Sequence, residues 1–305
     1  MLLPTAISLL LGVIATAQTP SYNTGTLGAT ADGSHTEAVL LDQPGALPAF
    51  GDFSVAYSAS SRTTLPFLTA VNPPASSPFT IEFWARPTGS DNDDVPVNNR
   101  IGSGNRSGWV FFQRAAATGW NFRMYDGNGD LRGWDITGGT SQLNAWSHVV
   151  VTWDGSSARL YVNGTDTNAS NIGSGTYNAS TTAVFSIGAL ADGGSPFNGS
   201  VDEVAFYSTA LSASRILEHY QTASSTVPGA YSSLVVADGA LLYYQQNPPF
   251  AKIATQGANQ VITFTGILTQ STSLAAESWE DLSVTSPYTV TPTPEKPKLF
   301  FRARR

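Results

Sequence analysis

WSHVVVTWDGSSARLYVNG (146–164), FSIGAL (185–190) and FNGSVDEVAFYSTALSASRILEHY (197–220) stand in this order in the chain and decide its fold. The first segment reads as a hairpin. Val149, Val151 and Trp153 alternate with His148, Val150 and Thr152, Asp154-Gly155 turns the chain, Leu160 and Val162 alternate again, and Asn163-Gly164 makes a second turn. Asn-Gly and Asp-Gly supply the positive φ angles that two-residue hairpin loops need. The last segment is a strand followed by a short helix, in which Ala213, Ile216, Leu217 and Tyr220 recur at helical spacing and offer one face for packing.

Upstream, FTIEFWAR (79–86) puts Phe79, Ile81, Phe83 and Ala85 on one face of a strand and Thr80, Glu82, Trp84 and Arg86 on the other. FSVAYS and TTLPFL precede it, and GWVFFQR, GWNFRMY and LRGWDI follow as further strands. Residues 88–107 read as a polar loop carrying Asp91, Asp93 and Asp94. Short strands with turn signals at this spacing predict an all-β antiparallel sandwich.

Together with FTIEFWARPT (79–88), the three opening segments resemble LamG-like jelly-roll domains of the concanavalin A-like superfamily, in the form common in secreted bacterial proteins. The resemblance runs roughly from Ser21 to Thr222 and implies a two-sheet antiparallel jelly roll. It implies no single function, because that fold carries lectins, adhesion modules, hydrolases and lyases.

The N-terminus adds an expected destination. Leu2 to Val13 is mostly apolar and Ala15-Thr16-Ala17 offers an A-x-A cleavage site, so residues 1–17 read as a secretory signal peptide of a secreted or cell-surface protein. The apolar run is too short to span a bilayer comfortably, and no later segment reads as a membrane span. Cysteine is absent, which removes thiol catalysis and thiolate metal sites and leaves core burial or ions to hold the fold. With Lys+Arg 15 against Asp+Glu 22 and a net charge of −7, nucleic acid is not an expected partner. The N-x-S/T sequons at Asn105, Asn163, Asn168, Asn178 and Asn198 read as a by-product of Asn/Ser/Thr-rich turns.

The expected organisation is a jelly roll over 18–225, a linker over 226–247 and a small β module over 248–305. YSSLVVADGALLYYQQN, in the linker, resembles the opening of a further LamG-like unit. VITFTG, SWEDL, SPYTV and the final FFRAR resemble a C-terminal β module found at the ends of secreted multi-module bacterial proteins. Val261–Thr265 and Leu299–Arg302 read as strands, Trp279 and Leu282 as core anchors, and the Pro-rich 291–297 as a loop.

Several residues could carry chemistry. Glucanases of the superfamily place carboxylates as E-x-D-x-(x)-E on one strand, and that set is missing. Glu82 stands alone, and strand alternation sends Asp202 and Glu203 to opposite faces. His35, His148 and His219 have no catalytic partner at a readable spacing, and a structural role is expected of His148. In relatives an aspartate matching Asp202 often ligates a structural Ca²⁺ together with carbonyls of the N-terminal region. That resemblance sets calcium ligation against a simple turn cap for Asp202. Asp126-Gly-Asn-Gly-Asp130 reads as a plain hairpin turn, because the bidentate Glu of a calcium loop does not follow.

Trp109, Trp120, Tyr125 and Trp134 are candidate platforms on which a sugar ring could stack, with Asn121, Arg123 and Asp135 near them in sequence. The opposing reading packs these aromatics in the core. Three functions stay open: a secreted, non-catalytic module binding a carbohydrate or cell-surface ligand, an extracellular interaction or adhesion scaffold without a sugar site, and a polysaccharide-active enzyme that only the fold supports.

Overall fold

The computed structural model describes residues 6–9, 20–36, 38–48, 52–89, 93–100, 104–114, 119–227, 229–245, 251–264, 267–272, 279–284, 287–291 and 298–304. The chain divides into two compact units, Gln18–Asn247 and a second made of Met1–Ala17 with Pro248–Arg305.

The larger unit is an antiparallel sandwich. One sheet runs Thr165–Asp166, Ala158–Val162, Ser147–Trp153, Phe79–Pro87, Gly199–Tyr207, Phe53–Tyr57, Leu40–Pro44, with Leu242–Tyr244 paired to Gly199–Tyr207. The second runs Arg132–Gly138, Trp120–Tyr125, Gly108–Gln113, Val97–Arg100, Ser186–Ile187, Thr63–Thr64, Gly33–His35, Pro20–Ser21. The expected jelly-roll sandwich is therefore present, and Val97–Arg100 is a strand inside the stretch read as a polar loop. Asp93 of that loop pairs with Arg114, whereas Asp91 lies outside the described residues.

Between the sheets lies an aromatic core. Phe79, Phe83, Phe111 and Phe122 are wholly buried, and Phe83 meets Phe111 edge-on at 4.9 Å. Trp109 and Trp120 belong to this core and are 0% exposed. Trp134 is half-buried against Trp153, ring centroids 5.4 Å apart. Strand alternation explains all three, because each shares the inward face with Phe111, Phe122 or Ile136. Trp109 and Trp120 are core residues and offer no platform, whereas Trp134 keeps part of its surface exposed.

The Asn163-Gly164 turn is the two-residue hairpin expected, with φ of 52° and 74° and Val162 paired to Thr165. Asp154-Gly155 belongs instead to a four-residue loop, because Trp153 pairs with Ala158. Asp154 Oδ1 accepts hydrogen bonds from the amides of Ser156 and Ser157 and closes that loop from inside.

Ser147–Trp153 is buried on both faces. Helices explain the second face. α1 (Ala213–Thr222) and α2 (Ala230–Ala237) cover the outside of the first sheet. α1 is capped by Ser212, whose side chain accepts from the Arg215 amide at 3.2 Å. It buries Ile216 and His219 and leaves Leu217 40% exposed, so its packing face is rotated from the one expected. The segment 226–247 is not a linker. It forms α2 and the strand Leu242–Tyr244, and Leu242 and Tyr244 enter the main core.

In the smaller unit, Ala251–Gln256, Asn259–Phe264 and Tyr288–Val290 form one sheet. Ile267–Ser271, Glu280–Asp281, Lys298–Arg304 and Ala6–Leu9 form another, the last two parallel. Ile262, Phe264, Leu268, Leu299 and Phe301 make its core, with Leu282 packed against it. Trp279 stacks under the Arg302 guanidinium at 4.2 Å. Residues 292–297, most of the expected Pro-rich loop, lie outside the described residues.

Candidate functional site

Among the described residues of the sandwich unit, three polar assemblies stand out, one on the second sheet's outer face and two on the first sheet's helix-covered side.

On the second sheet, residues alternating with the core aromatics point outward. Val110 faces Arg123 across one strand pair, and Arg123 faces Asp135 across the next. Asn121 Nδ2 donates to Asp135 Oδ1 at 2.7 Å and to Thr137 Oγ1 at 2.8 Å. Arg123 Nε (3.1 Å) and Arg132 Nη1 (2.7 Å) both donate to Asp135 Oδ2, and Arg114 Nη2 donates to Asn121 Oδ1 at 3.3 Å. Phe112 lies beneath Arg114 and Arg123, 4.9 and 5.0 Å from ring centroid to guanidinium. Tyr125 alone of the four expected platform aromatics is on this face, but it is 0% exposed, with the Arg100 and Arg106 guanidiniums over its ring. It therefore offers no open face for stacking. Asp126 and Asp130 shape the hairpin turn expected of them: Asp126 Oδ1 accepts from the Asn128 amide, and Asp130 pairs with Arg106.

The second assembly is an acidic cluster of Asp52, Asp202 and Glu203, in which one carboxylate oxygen from each lies within 4.8 Å of the others. Alternation would separate Asp202 from Glu203. A bulge between Asp202 and Ala205, with Glu203 at φ 52°, inserts one residue and brings both carboxylates to the helix-covered side. The N-terminal region does reach Asp202: the Ala46 amide donates to its Oδ2 at 2.9 Å, and the Leu47 amide donates to Asp52 at 2.7 Å. Tyr243 donates to Glu203 Oε2, while Glu203 Oε1 is buried without a partner. Burial, then the charge of Asp52, pushes the carboxyls of Asp202 and Glu203 well above their usual range, and they repel one another. Two buried carboxyls beside a third hold protons or require a cation. The donor set is all oxygen, and two ligands of a Ca²⁺ ion at about 2.3–2.6 Å sit at most about 5 Å apart. The cluster fits a divalent cation, and Asp202, Glu203 and Asp52 are the residues that would hold it.

The third assembly centres on Glu82, which does not stand alone. Fully buried, it accepts from His148 Nε2 (2.7 Å), the Tyr231 hydroxyl (2.7 Å), the Tyr207 hydroxyl (2.7 Å) and His219 Nδ1 (2.9 Å). His219 Nε2 faces Asp238 Oδ2 at 2.8 Å, and Arg215 Nε donates to the same oxygen at 2.7 Å. Both His219 nitrogens face acceptor-only carboxylates, so both carry protons. Burial alone would raise the Glu82 pKa. The His219 charge and the hydrogen bonds from His148 and His219 overcome it and hold the carboxyl well below its usual range. His219 is raised in turn, its own burial being outweighed by Glu82 and Asp238. His148 thus bonds a side chain rather than only neighbouring backbone. Buried under α1 and α2, the assembly ties both helices to the sheet. His35 ends the strand Gly33–His35. It meets Thr63 Oγ1 at 2.7 Å, and burial lowers its pKa to about 4.

Comparison with solved structures finds similar chains at low identity. A candidate carbohydrate-binding protein from Bacteroides ovatus is 18% identical with a TM-score of 0.45, over 70% of this chain and 55% of that one. The binding domain of botulinum neurotoxin serotype G is 13% identical with a TM-score of 0.50, over 86% of this chain and 62% of that one. A botulinum neurotoxin type C structure, whose cell entry depends on two ganglioside molecules, is 20% identical with a TM-score of 0.46, over 77% and 56%. The chain thus spans little more than half the length of the first of these structures. No curated protein matches it in sequence. Residues 59–217, just over half of the chain, match the family described as the concanavalin A-like lectin/glucanases superfamily. With its two packed antiparallel sheets, this chain belongs to that superfamily.

Proposed function

We propose that the chain is a secreted, non-catalytic recognition module that binds a carbohydrate on the outer face of the second sheet. Superfamily membership covers lectins and glucanases alike, so the residues must separate them. The observation that carries the reading is a concentration of charge. In a chain with only 12% charged residues, Arg100, Arg106, Arg114, Arg123 and Arg132 gather on this one face, with Asn121 and Asp135. The Arg106 and Arg132 side chains, 29% and 40% exposed, are donors that vicinal hydroxyls can reach, and Asn121 and Asp135, buried beneath them, fix Arg123 and Arg132 before a ligand arrives. Against catalysis, Glu82, Asp202 and Glu203 are at most 1% exposed, out of reach of a polysaccharide.

The acidic cluster supports a second element of the proposal: Asp52, Asp202 and Glu203 hold a structural Ca²⁺ that replaces the missing disulfides as a cross-link between the 46–52 segment and the strand Gly199–Tyr207. A glycan array probed with the protein beginning at Gln18 tests the main reading. Binding that Asn121→Ala and Arg123→Ala weaken supports it, and binding that survives both variants places the ligand elsewhere.

A further inference from the structure

In the smaller unit, the strand Lys298–Arg304 pairs antiparallel with Ile267–Ser271 on one side and parallel with Ala6–Leu9 on the other. Ala6–Leu9 is the outermost strand of that sheet. It also runs close to Ala251–Gln256, the outermost strand of the unit's other sheet, so two sheet edges bound its place. Yet residues 6–9 fall within the 1–17 segment that reads as a secretory signal cleaved after Ala17. Release of that segment takes the strand with it. Residues 298–301, its partners in the register, then present backbone N–H and C=O groups that no other strand among the described residues covers. The vacated place is specific in register. Ile7 stands opposite Leu299 and Leu9 opposite Phe301, and Leu299 and Phe301 are 8% and 0% exposed in the unit's core. Residues opposite one another lie on one face of a sheet, so two positions of an incoming strand meet that core.

We propose that the processed protein uses this vacated edge to capture an extended segment of a partner protein, added as a parallel strand in which acidic residues flank an apolar–any–apolar centre. The inference rests on the secreted nature proposed above. Charge selects the occupant. Residues 298–305 read KLFFRARR, with four cations and no acid, and Ala251–Gln256 adds Lys252. The acidic Glu280–Asp281 lies at the far edge of the sheet, beyond Ile267–Ser271. Trp279 holds Arg302 in place, its ring centroid 4.2 Å from the guanidinium. Two copies of KLFFRARR side by side would repel one another, which sets a second copy of this chain aside. In the register of Ala6–Leu9, the positions opposite Lys298 and Arg302 flank the apolar pair, and acids there match the charge. Main-chain hydrogen bonds give such a strand its affinity, and alternate side chains give it specificity.

The test titrates two forms of the chain, one beginning at Gln18 and one at Met1, and follows amide chemical shifts. The probes are the peptide Glu-Ile-Ser-Leu-Glu between neutral flanks, its counterpart with lysine for glutamate, and the glutamate peptide N-methylated along its backbone. The Gln18 form should bind the glutamate peptide with shifts centred on residues 298–301. It should bind the other two at least about tenfold more weakly. The Met1 form should also bind the glutamate peptide at least about tenfold more weakly, because its own strand holds the edge at high effective concentration. Ile7→Asp with Leu9→Asp in the Met1 form should restore binding, since it sets charges opposite Leu299 and Phe301. Equal affinity of the two forms overturns the inference, as does a lysine peptide that binds as well as the glutamate one. A Gln18 form that sediments as a dimer gives the edge to a second copy and overturns the partner segment. Loss of the folded amide spectrum of residues 251–304 in the Gln18 form makes the strand integral to the unit and leaves no edge to fill. N-terminal sequencing of the secreted protein separates the inference from the reading beneath it. A mature chain that begins at Met1 overturns the secretory signal. One that begins at Gln18 and binds no peptide overturns the captured strand alone.

Discussion

Replacing Glu82 by alanine should be the most damaging single change on the helix-covered side of the sandwich. The substitution removes the one acceptor shared by His148, His219, Tyr207 and Tyr231, all buried. Each buried donor left without a partner costs about 1–3 kcal/mol. His219 can shed its proton and water can enter the space, so the low end of that range governs, about 4 kcal/mol for four donors. A domain of this size loses roughly 2–4 °C per kcal/mol, so the melting midpoint should fall by about 8–16 °C. Tyr207→Phe and Tyr231→Phe each remove one donor along with its bond and should cost only about 1 kcal/mol apiece. The assay is urea and thermal unfolding of the three variants beside the wild type. A Glu82→Ala loss below about 1 kcal/mol, or one no larger than either tyrosine variant, would refute the claim that this carboxylate organises the helices.

The same assembly predicts a pH window. Glu82 is lowered, so its contribution is lost as pH falls through its depressed pKa. His219 is raised, so its contribution is complete below 6.5 and is lost as pH rises through its elevated pKa. The stability difference between wild type and His219→Gln should therefore be greatest between 4.5 and 6.5 and shrink on the alkaline side; a difference that grows there contradicts the assignment. Asp202 and Glu203 have the opposite sign: raised carboxyl pKa values make the calcium-free protein less stable as pH rises. Ca²⁺ should accordingly raise the melting midpoint more at about pH 8 than at about pH 5, and Asp202→Ala should abolish the rise. A chelator titration without any shift removes the ion from the account. Gly164→Ala should destabilise by about 1–2 kcal/mol, because φ is 74° there and a Cβ would lie 3.0 Å from Leu217 Cδ1, where the turn meets α1. Urea unfolding with an unchanged midpoint would show that the turn tolerates a side chain.

The period-2 patterns of residues 79–86 and 146–162 made the sandwich legible, because strand alternation is a local property. The same patterns placed Trp109 and Trp120 beside polar residues, and only the sheet's orientation assigns those rings to the core. Glu82 looked solitary because its partners lie 66 to 149 residues away in the chain. Glu203 was sent to the wrong face because a bulge leaves no mark on an alternating sequence beyond the acidic pair itself. A cue to both sites did exist. Tyr231 and Tyr243 stand in a stretch read as a linker, and tyrosines there can bury a ring while carrying a hydroxyl to a carboxylate. Arg100 lay in a stretch read as a polar loop, where nothing in the sequence distinguishes a buried arginine from a solvated one.

Under the proposed function, the outer face of the second sheet recognises a carbohydrate. The direct measurement is amide chemical-shift mapping of the protein beginning at Gln18 while it is titrated with the best-binding saccharide from the array. Shifts should cluster on Val97–Arg100, Gly108–Gln113, Trp120–Tyr125 and Arg132–Gly138 and be abolished together by Arg123→Ala. Shifts confined to the helix-covered face of the first sheet, or to residues 251–304, would contradict it.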